Sequence, residues 1–323
     1  GPPDPETDVI GWENGIWYNE SIPVDQLGLG EHGLDERETE LLTARTMARV
    51  EYLRGLEFTK PVTVEFISRE TLQDRLEGRT FGEPTNDQVF EAMFAYGEGE
   101  DAHAEIERFL GAAVIGYAAE EGSTNLTIVT KSDSLHAVDP TVLAHELVHV
   151  LQDQHYDLSE PRYRRDTLDG EWGKDGLVEG EASYLDSQYS KQCISNWSCV
   201  RAPKDWSGAS AEGARVYSLL SAQPYTDGGT YVYTLEQKGG WEAIDRAHQD
   251  PPVSSEQIIH QRPNEKPIPL SVEDHSSSDW ERYHTNTLGE VGIFALFFAQ
   301  QERAEEGQAV MDRDVFERQH RWD

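Results

Sequence analysis

The strongest constraint on the fold comes from residues 139–151, which predict a buried helix. Asp139 and Pro140 are typical of an N-cap followed by a first helical residue, and apolar residues then recur at helical spacing. The same helix carries His145–His149, whose letters HELVH match the H-E-x-x-H motif. Because buried polar side chains need partners, the histidines and the glutamate require a metal ion or a hydrogen-bonded network.

The four-residue spacing of His145 and His149 places both imidazoles on one face of the helix, one turn apart. This is the arrangement of two zinc ligands, and Glu146 beside them can take a proton from a water molecule as it attacks a carbonyl carbon. The alternative is a helix with two partly exposed histidines and a solvated glutamate, because the motif fixes only three positions. The buried character of the helix favours the catalytic interpretation.

A catalytic zinc ion takes three protein ligands and keeps one position open, so a third ligand is needed. His155 stands where the longer H-E-x-x-H-x-x-G-x-x-H pattern has its last histidine, but Gln152 replaces the glycine that turns the chain back. If the helix continues, His155 lies about 9 Å beyond His149 along the axis and roughly 120° around it. His155 is therefore predicted to end the helix or to orient a ligand through a hydrogen bond.

Glu179 is the second candidate for the third ligand. It lies thirty residues after His149, within Leu177–Ala182 on the next predicted helix. The arrangement resembles that of the gluzincin metallopeptidases, in which a following helix supplies a glutamate ligand and a small residue three positions later lets the helices pack closely. The resemblance implies that Glu179 binds zinc and that Ala182 is the small residue. Glu181 is the rival carboxylate, but it points to another face of the helix.

Ser183 lies one turn beyond Glu179 and is the candidate to hold an imidazole N–H. Some gluzincins have an aspartate at this position and a shorter distance between the second histidine and the glutamate. Four blocks of the chain also resemble poorly characterised exported proteins of haloarchaea, with bacterial relatives, that are regarded as zinc metallopeptidases: Gly11–Tyr18, His145–His155, Leu177–Ala182 and Ser255–His260. The resemblance implies zinc-dependent peptide hydrolysis and names no substrate.

The remaining pattern predicts one α+β domain of the zincin type. Helical spacing marks residues 35–54, 86–99, 102–111 and 177–189, and strand patterns mark residues 61–67, 113–118 and 124–129. We expect an extended N-terminal arm over residues 1–34 and a single zincin-like domain over residues 35–323. In the part up to about residue 158, a small mixed or antiparallel sheet is followed by the active-site helix, and residues 175–323 are mostly helical.

Acyl transfer at zinc commonly uses a further donor to the developing oxyanion. The residues that qualify by type are Tyr184, Tyr231, Tyr233, His260 and Tyr283. The sequence does not choose among them, and His260, in a polar segment after two prolines, is the first to test. The hairpin at residues 113–129 is the predicted sheet edge to which an extended peptide adds as a strand, and a purely structural hairpin is the alternative.

The charge of the chain bears on its partners and its environment. Sixty-one acidic residues against 27 basic ones give a formal net charge of −34. This charge repels nucleic acid and anionic lipid, so we expect no nucleic-acid partner. Acidic residues run through every segment and lysines are few, a pattern that resembles proteins of salt-loving archaea. An ordinary acidic secreted protein is the alternative.

Several features favour an exported protein. Cys193 and Cys199 are spaced for a disulfide, with a free pair as the alternative. Sequons for N-glycosylation lie at Asn19, Asn125 and Asn196. No signal peptide opens the sequence, and the longest apolar run is too short to span a bilayer. We expect an extracellular or cell-surface protein whose signal or anchor segment lies outside this chain.

Together these observations predict a zinc-dependent peptidase that acts on a peptide or protein substrate. One catalytic Zn²⁺ is held by His145, His149 and Glu179, and Glu146 is the general base. The competing interpretation is a non-catalytic cell-surface protein that keeps a zincin fold to associate with other surface proteins. The presence of Glu146 argues against it, because a structural zinc site has no use for a general base.

Overall fold

The computed structural model describes residues 11–17, 33–76, 86–93, 95–97, 101–113, 116–118, 124–130, 139–200, 215–269, 271, 273, 282 and 284–305. Over these residues the protein is α+β, as predicted, and mostly helical. In chain order its strands and helices are β1 (Trp12–Glu13), β2 (Ile16–Trp17), α1 (Glu36–Arg54), β3 (Thr63–Ser68), α2 (Arg69–Leu76), α3 (Asn86–Ala92), α4 (Ala102–Ala113), β4 (Gly116–Ala118), β5 (Asn125–Thr130), α5 (Pro140–Tyr156), α6 (Leu168–Ser195), α7 (Arg215–Gln249, broken at Gly239 and Gly240), α8 (Ser255–Ile259) and α9 (Gly289–Glu305).

Three of the strands form a mixed sheet in the order β3-β5-β4. β3 pairs with β5 in parallel, and β4 pairs with β5 in antiparallel register, with Tyr117 opposite Thr127. The strands predicted from the β-branched and alternating runs are therefore confirmed. Leu126 and Ile128 of β5 point into the main core together with apolar residues of α1, α5 and α6.

Helix α5 begins as the sequence predicts. The Asp139 side chain accepts a hydrogen bond from the backbone N–H of Thr141 at 2.9 Å, and Pro140 occupies the first turn. The apolar residues of its inner face, Leu143, Leu147, Val150 and Leu151, are all buried in the main core. The helix runs without a break to Tyr156, so the chain does not turn back at Gln152. No helix within the described ranges is long and apolar enough to cross a membrane.

Helix α6 begins at Leu168, well before the predicted start at Leu177. Glycine disfavours helix, but Gly173 and Gly176 are needed here because neighbouring groups come very close. A β-carbon at Gly173 would lie 2.6 Å from the backbone nitrogen of Ser254, and one at Gly176 would lie 2.6 Å from Cγ1 of Ile258. Tertiary packing thus outweighs the low helix propensity of this glycine-rich segment.

Residues 12–17 of the predicted extended arm form a hairpin instead. Its two-residue turn consists of Asn14 and Gly15, whose φ angles of 50° and 76° suit the tight turns of hairpins. The Asn14 side chain pairs with the backbone of Val62, donating to its carbonyl oxygen at 2.6 Å and accepting from its N–H at 3.0 Å. The hairpin therefore docks at the start of β3 and beside α1.

Candidate metal centre

Helices α5 and α6 pack side by side and bring together the three predicted zinc ligands. Nε2 of His145 lies 3.2 Å from Nε2 of His149. Oε2 of Glu179 lies 3.3 Å from the first of these nitrogens and 3.2 Å from the second. The three potential ligand atoms form a nearly equilateral triangle, and all three side chains are partly buried.

The triangle has the dimensions of a zinc site. Ligand atoms that lie about 2.0–2.1 Å from a tetrahedral Zn²⁺ are about 3.3–3.4 Å from one another. The observed separations of 3.2 and 3.3 Å match this value. Two imidazole nitrogens and one carboxylate oxygen are also the donor set of catalytic zinc sites that keep a fourth position open. The residues present therefore fit the metal.

The ligands interact strongly through their charges. Burial alone would lower the pKa of His149, but the Glu179 carboxylate outweighs burial and raises this pKa to about 10. Burial would raise the pKa of Glu179, but His149 and then His145 hold it well below its usual range. A divalent cation can replace the proton that these groups share, because metal binding to such ligands releases protons.

Glu146 lies between the sheet and the ligand pair. Burial raises its pKa, although His149 and His145 act in the opposite direction. Gly116 of β4 faces this side chain: a β-carbon at Gly116 would lie 2.7 Å from Cγ of Glu146. Glycine at this position therefore leaves the space that the carboxylate fills. Within the described residues, β4 is an end strand of its sheet, so a sheet edge borders Glu146.

Gln152 orients His149. Its Oε1 lies 3.0 Å from Nδ1 of His149, so an N–H at Nδ1 donates to it and Nε2 is left to face the other ligands. Its amide nitrogen donates to the Val178 carbonyl oxygen at 3.0 Å and to Oε2 of Glu181 at 2.8 Å. In the sequence, Gln152 was notable only as the residue that replaces a glycine. Its position three residues after His149, on the same helix face, was the available signal.

Buried charges lie behind the ligands, in a cluster that we call the Arg54–Glu181 network. Glu181 of α6 pairs with Arg54 of α1 and, at 2.7 Å, with Nε2 of His248. Arg54 also donates to the hydroxyl of Tyr156 at 2.5 Å and to Asp245 at 2.6 Å. Burial would raise the pKa of Glu181, but Arg54 and His248 hold it well below its usual range. Glu181 is thus an ion-pair partner in the protein interior and not a member of the ligand cluster.

Tyr225 of α7 lies against the candidate centre, although it was not among the predicted donors. Its ring stacks on His145 with centroids 5.7 Å apart and an angle of 18° between the planes. Burial raises the pKa of Tyr225, and the carboxylates of Glu179 and Glu146 raise it further. The phenol therefore keeps its proton beside the ligands. No local pattern marks Tyr225, because the packing of α7 against α6 brings it to this place.

The other two histidines named in the sequence analysis lie elsewhere. His155 is exposed, and its Nε2 lies 2.6 Å from the backbone oxygen of Glu57. The uninterrupted helix explains this, because it carries His155 past the ligand face. Nε2 of His260 lies 2.8 Å from Oε2 of Glu290 on α9. Neither histidine belongs to the ligand cluster.

Ser183 does not form the predicted contact. Among the described residues it makes no hydrogen bond with either ligand histidine. Besides Glu179, a second carboxylate close enough to His145 to interact with it is Asp186, further along α6. Burial raises the pKa of Asp186 to about 6, although the nearby His145 acts in the opposite direction. Ser183 was the residue predicted to contact a ligand imidazole, whereas Asp186, three residues further on, is an acidic neighbour of His145 that was not predicted.

Three of the four tyrosines predicted as candidate donors, Tyr184, Tyr231 and Tyr233, pack against other side chains. Tyr231 is fully buried in a cluster formed mainly by α6 and α7. The rings of Tyr184 and Tyr233 lie 6.1 Å apart, with Tyr233 half exposed. Tyr283 lies outside the described residues.

The predicted disulfide is confirmed. Cys193 and Cys199 are joined at the end of α6, with their α-carbons 5.5 Å apart. Of the predicted glycosylation sites, Asn125 at the start of β5 and Asn196 after α6 are exposed. Asn19 lies outside the described residues.

No protein-family model, curated protein or solved structure matches the chain. The class of protein must therefore be argued from the residues and geometry of the centre. Within the described residues, the centre consists of two histidines and one glutamate, all partly buried, and a second glutamate, Glu146, lies beside them.

Proposed function

We propose that the chain is a zinc-dependent peptidase of the gluzincin type. The observation that carries the proposal is the triangle of His145, His149 and Glu179, whose edges of 3.2 to 3.3 Å fit one Zn²⁺. The position of Glu146 beside this triangle supports a catalytic zinc site over a purely structural one. A zincin fold is part of the proposal, and the mixed sheet next to the motif helix supports it.

Each neighbouring residue has a role in this chemistry. A zinc ion held there would polarise the scissile carbonyl and increase the acidity of water. Glu146 accepts the proton of the attacking water molecule and delivers it to the leaving nitrogen. Tyr225 donates a hydrogen bond to the developing oxyanion, and its proximity to His145 and Glu179 supports this role. Gln152 keeps His149 in the orientation that presents Nε2.

The proposed substrate is an extended peptide or protein segment. β4 is an end strand of the mixed sheet, and the backbone at Gly116 lies directly against Glu146. A peptide that adds to this edge as a further strand would pass its backbone along the general base. We further propose that the enzyme acts at the cell surface or outside the cell in concentrated salt. The disulfide and the net charge of −34 support this location.

The test compares the parent protein with Glu146→Gln in the cleavage of an unstructured protein in molar salt. Glu146→Gln keeps the side-chain shape and all three proposed ligands, so it should retain zinc. Its kcat should fall by about 10²–10⁴-fold because the base is lost. The matched control is Glu242→Gln, which changes an exposed glutamate of α7 and should cleave like the parent.

Two results would contradict the proposal. If Glu146→Gln cleaved as fast as the parent, the observed proteolysis would come from another site or from a contaminant. If the parent bound zinc stoichiometrically but cleaved none of a broad set of peptides and proteins, the non-catalytic cell-surface interpretation would replace it. In that case the centre would serve stability or assembly with other surface proteins.

A further inference from the structure

The carboxylate of Glu181 is connected to the candidate metal centre through the side chain of Gln152. Glu181 is 1% and Gln152 2% exposed, so this connection lies in the protein interior. Nε2 of Gln152 donates to Oε2 of Glu181 at 2.8 Å, and Oε1 of Gln152 lies 3.0 Å from Nδ1 of His149. Two hydrogen bonds thus join the Arg54–Glu181 network to a proposed zinc ligand.

The orientation of the Gln152 amide decides what it offers to His149. An amide presents two N–H donors on one side and an acceptor oxygen on the other. Both groups that face the nitrogen are acceptors, since the Val178 carbonyl oxygen accepts at 3.0 Å and Glu181 accepts at 2.8 Å. The amide oxygen is therefore turned towards Nδ1 of His149, where it accepts an N–H.

The tautomer of His149 follows from this contact. A neutral imidazole carries one N–H, and when it is at Nδ1 the lone pair is left at Nε2. Nε2 is the atom that lies 3.2 Å from Nε2 of His145 and 3.2 Å from Oε2 of Glu179. An amide turned the other way would present its N–H groups to Nδ1 and favour the proton at Nε2, where it blocks a metal ion.

Glu181 is held in place by the groups on its other side. Nε of Arg54 donates to its Oε1, and Nε2 of His248 lies 2.7 Å from its Oε2. A guanidinium has only donors, so an oxygen must face Arg54. His248 is fixed in turn, because the Tyr163 hydroxyl lies 2.8 Å from its Nδ1. The position of the Glu181 carboxylate is thus set from α1 and α7.

We propose that Glu181 is a positioning residue of the metal centre, which acts through Gln152 to hold His149 in the tautomer that binds zinc. The inference rests on the zinc site of the proposed function but not on peptide cleavage. Removal of a residue that orients a metal ligand typically lowers metal affinity by about 10–100-fold. The same range is expected for Glu181, which lies two hydrogen bonds away from the His149 ring.

The test measures the zinc dissociation constant of the full chain by competition with a chelator, for the parent and for Glu181→Gln. The new amide has one oxygen, which faces Arg54, so its N–H groups meet the donor side of Gln152. Zinc binding should weaken by about 10–100-fold. In the zinc-loaded variant, NMR should also show that the Nδ1–H proton of His149 exchanges with water faster than in the parent.

Asp245→Asn is the matched control. Asp245 accepts from Nη2 of Arg54 at 2.6 Å and from the hydroxyl of Tyr156 at 2.6 Å, so this variant weakens the same network. It leaves the bond between Glu181 and Gln152 in place, and it should bind zinc like the parent even where its stability falls. A zinc affinity that falls equally in Asp245→Asn and Glu181→Gln would assign the effect to general destabilisation and overturn the proposal.

Gln152→Met isolates the link between the network and His149. It removes the amide but leaves Arg54 paired with Glu181, so zinc binding should weaken by a similar factor. Because Glu181 acts through Gln152, adding Glu181→Gln to Gln152→Met should weaken binding no further, whereas two effects that multiply would contradict this path. Should Glu181→Gln not fold, Glu181→Asp replaces it, because it keeps the charge for Arg54 and withdraws the carboxylate from Gln152.

The outcomes also separate this inference from the proposed function. Equal zinc affinity of the parent, Glu181→Gln and Gln152→Met would overturn the inference and leave the peptidase proposal intact. A parent that binds zinc but cleaves no peptide would remove the peptidase activity, and weaker zinc binding by Glu181→Gln would still support its positioning role. A parent that binds no zinc would overturn both.

Discussion

At the scale of single residues, Gln152 and Tyr225 contact the two imidazoles of the candidate centre from different helices. Gln152 fixes the ring of His149 through its Nδ1, and Tyr225 covers the ring of His145. The first contact orients a ligand. The second places a phenol next to both the ligands and the proposed base, where it can reach a substrate oxygen.

Tyr225→Phe tests the second role. The variant keeps the ring that stacks on His145, so zinc content and KM should change little. The loss of the hydroxyl should lower kcat by about 10²–10³-fold, as expected when one donor to the oxyanion is removed. Steady-state kinetics and elemental analysis measure these effects. Tyr233→Phe, which alters a half-exposed tyrosine on the same helix, is the control. A kcat equal to that of the parent would exclude Tyr225 as the donor.

The sequence predicts some residues of this centre and misses others. The predicted ones follow from local helix geometry or from the family resemblance, and the missed ones depend on tertiary packing. His145 and His149 lie one helical turn apart, so their proximity follows from helix geometry alone. Glu179 lies on the next helix, and the gluzincin resemblance pointed to it. Tyr225 lies on α7, far along the chain from the two histidines. Only the tertiary packing of α7 brings it to the centre. Ser183 shows the same limit, because helix position alone did not reveal that Asp186, one turn further along α6, is a neighbour of His145.

At the scale of elements, glycines set the distance between α6 and α7. A β-carbon at Gly180 would overlap the backbone of Gly228, and a β-carbon at Gly228 would overlap the backbone of Gly176. Glu179 lies next to this contact on α6, and Tyr225 lies one turn before it on α7. The close approach of the two helices therefore determines how near the proposed donor comes to the ligand.

Gly228→Ala and Gly229→Ala form a matched pair that tests this contact. Gly228→Ala should destabilise the protein by about 1–3 kcal/mol and lower kcat, because the added methyl group pushes α7 away from α6. Gly229→Ala should be neutral or stabilise by up to about 1 kcal/mol, because its β-carbon meets only Cβ of Ser183 at 3.9 Å. Denaturant unfolding and kinetics measure both. Equal stability of the two variants would contradict the proposed spacing role.

Two elements show where prediction from sequence ends. The start of α6 was placed too late, because glycines disfavour helix and the tight packing that requires them is not visible in the sequence. The β1–β2 hairpin was missed, because strands of two residues are too short to show alternation. Its turn did carry a signal, since Asn14-Gly15 is the preferred pair for such turns.

At the scale of the whole molecule, the Arg54–Glu181 network connects α1, α5, α6 and α7. Arg54 and Glu181 are each 1% exposed, so their attraction is largely protected from dissolved salt. The net charge of −34 is mainly a property of the surface, where salt screens it. The composition predicts the acidic surface. The buried Arg54–Glu181 network depends on residues far apart in sequence, and no pattern in the sequence pairs them.

Glu181→Gln tests the contribution of this network. The variant leaves a buried guanidinium with fewer partners, so the free energy of unfolding should fall by about 3–5 kcal/mol. Because the pair is buried, the loss should be similar in low and in molar salt. Denaturant unfolding at both salt concentrations measures it, with Glu242→Gln as an exposed control that should match the parent. A loss that disappears in molar salt would show that water and ions reach the network.

The central claim is that His145, His149 and Glu179 hold one zinc ion beside Glu146. The most direct measurement is the zinc content of extensively dialysed protein, determined by elemental analysis for the parent, Glu146→Gln and His149→Ala. The account predicts one zinc ion per chain in the parent and in Glu146→Gln, and a large loss in His149→Ala with its fold retained. A parent that holds no zinc after incubation with it, or His149→Ala that retains a full equivalent, would contradict the account.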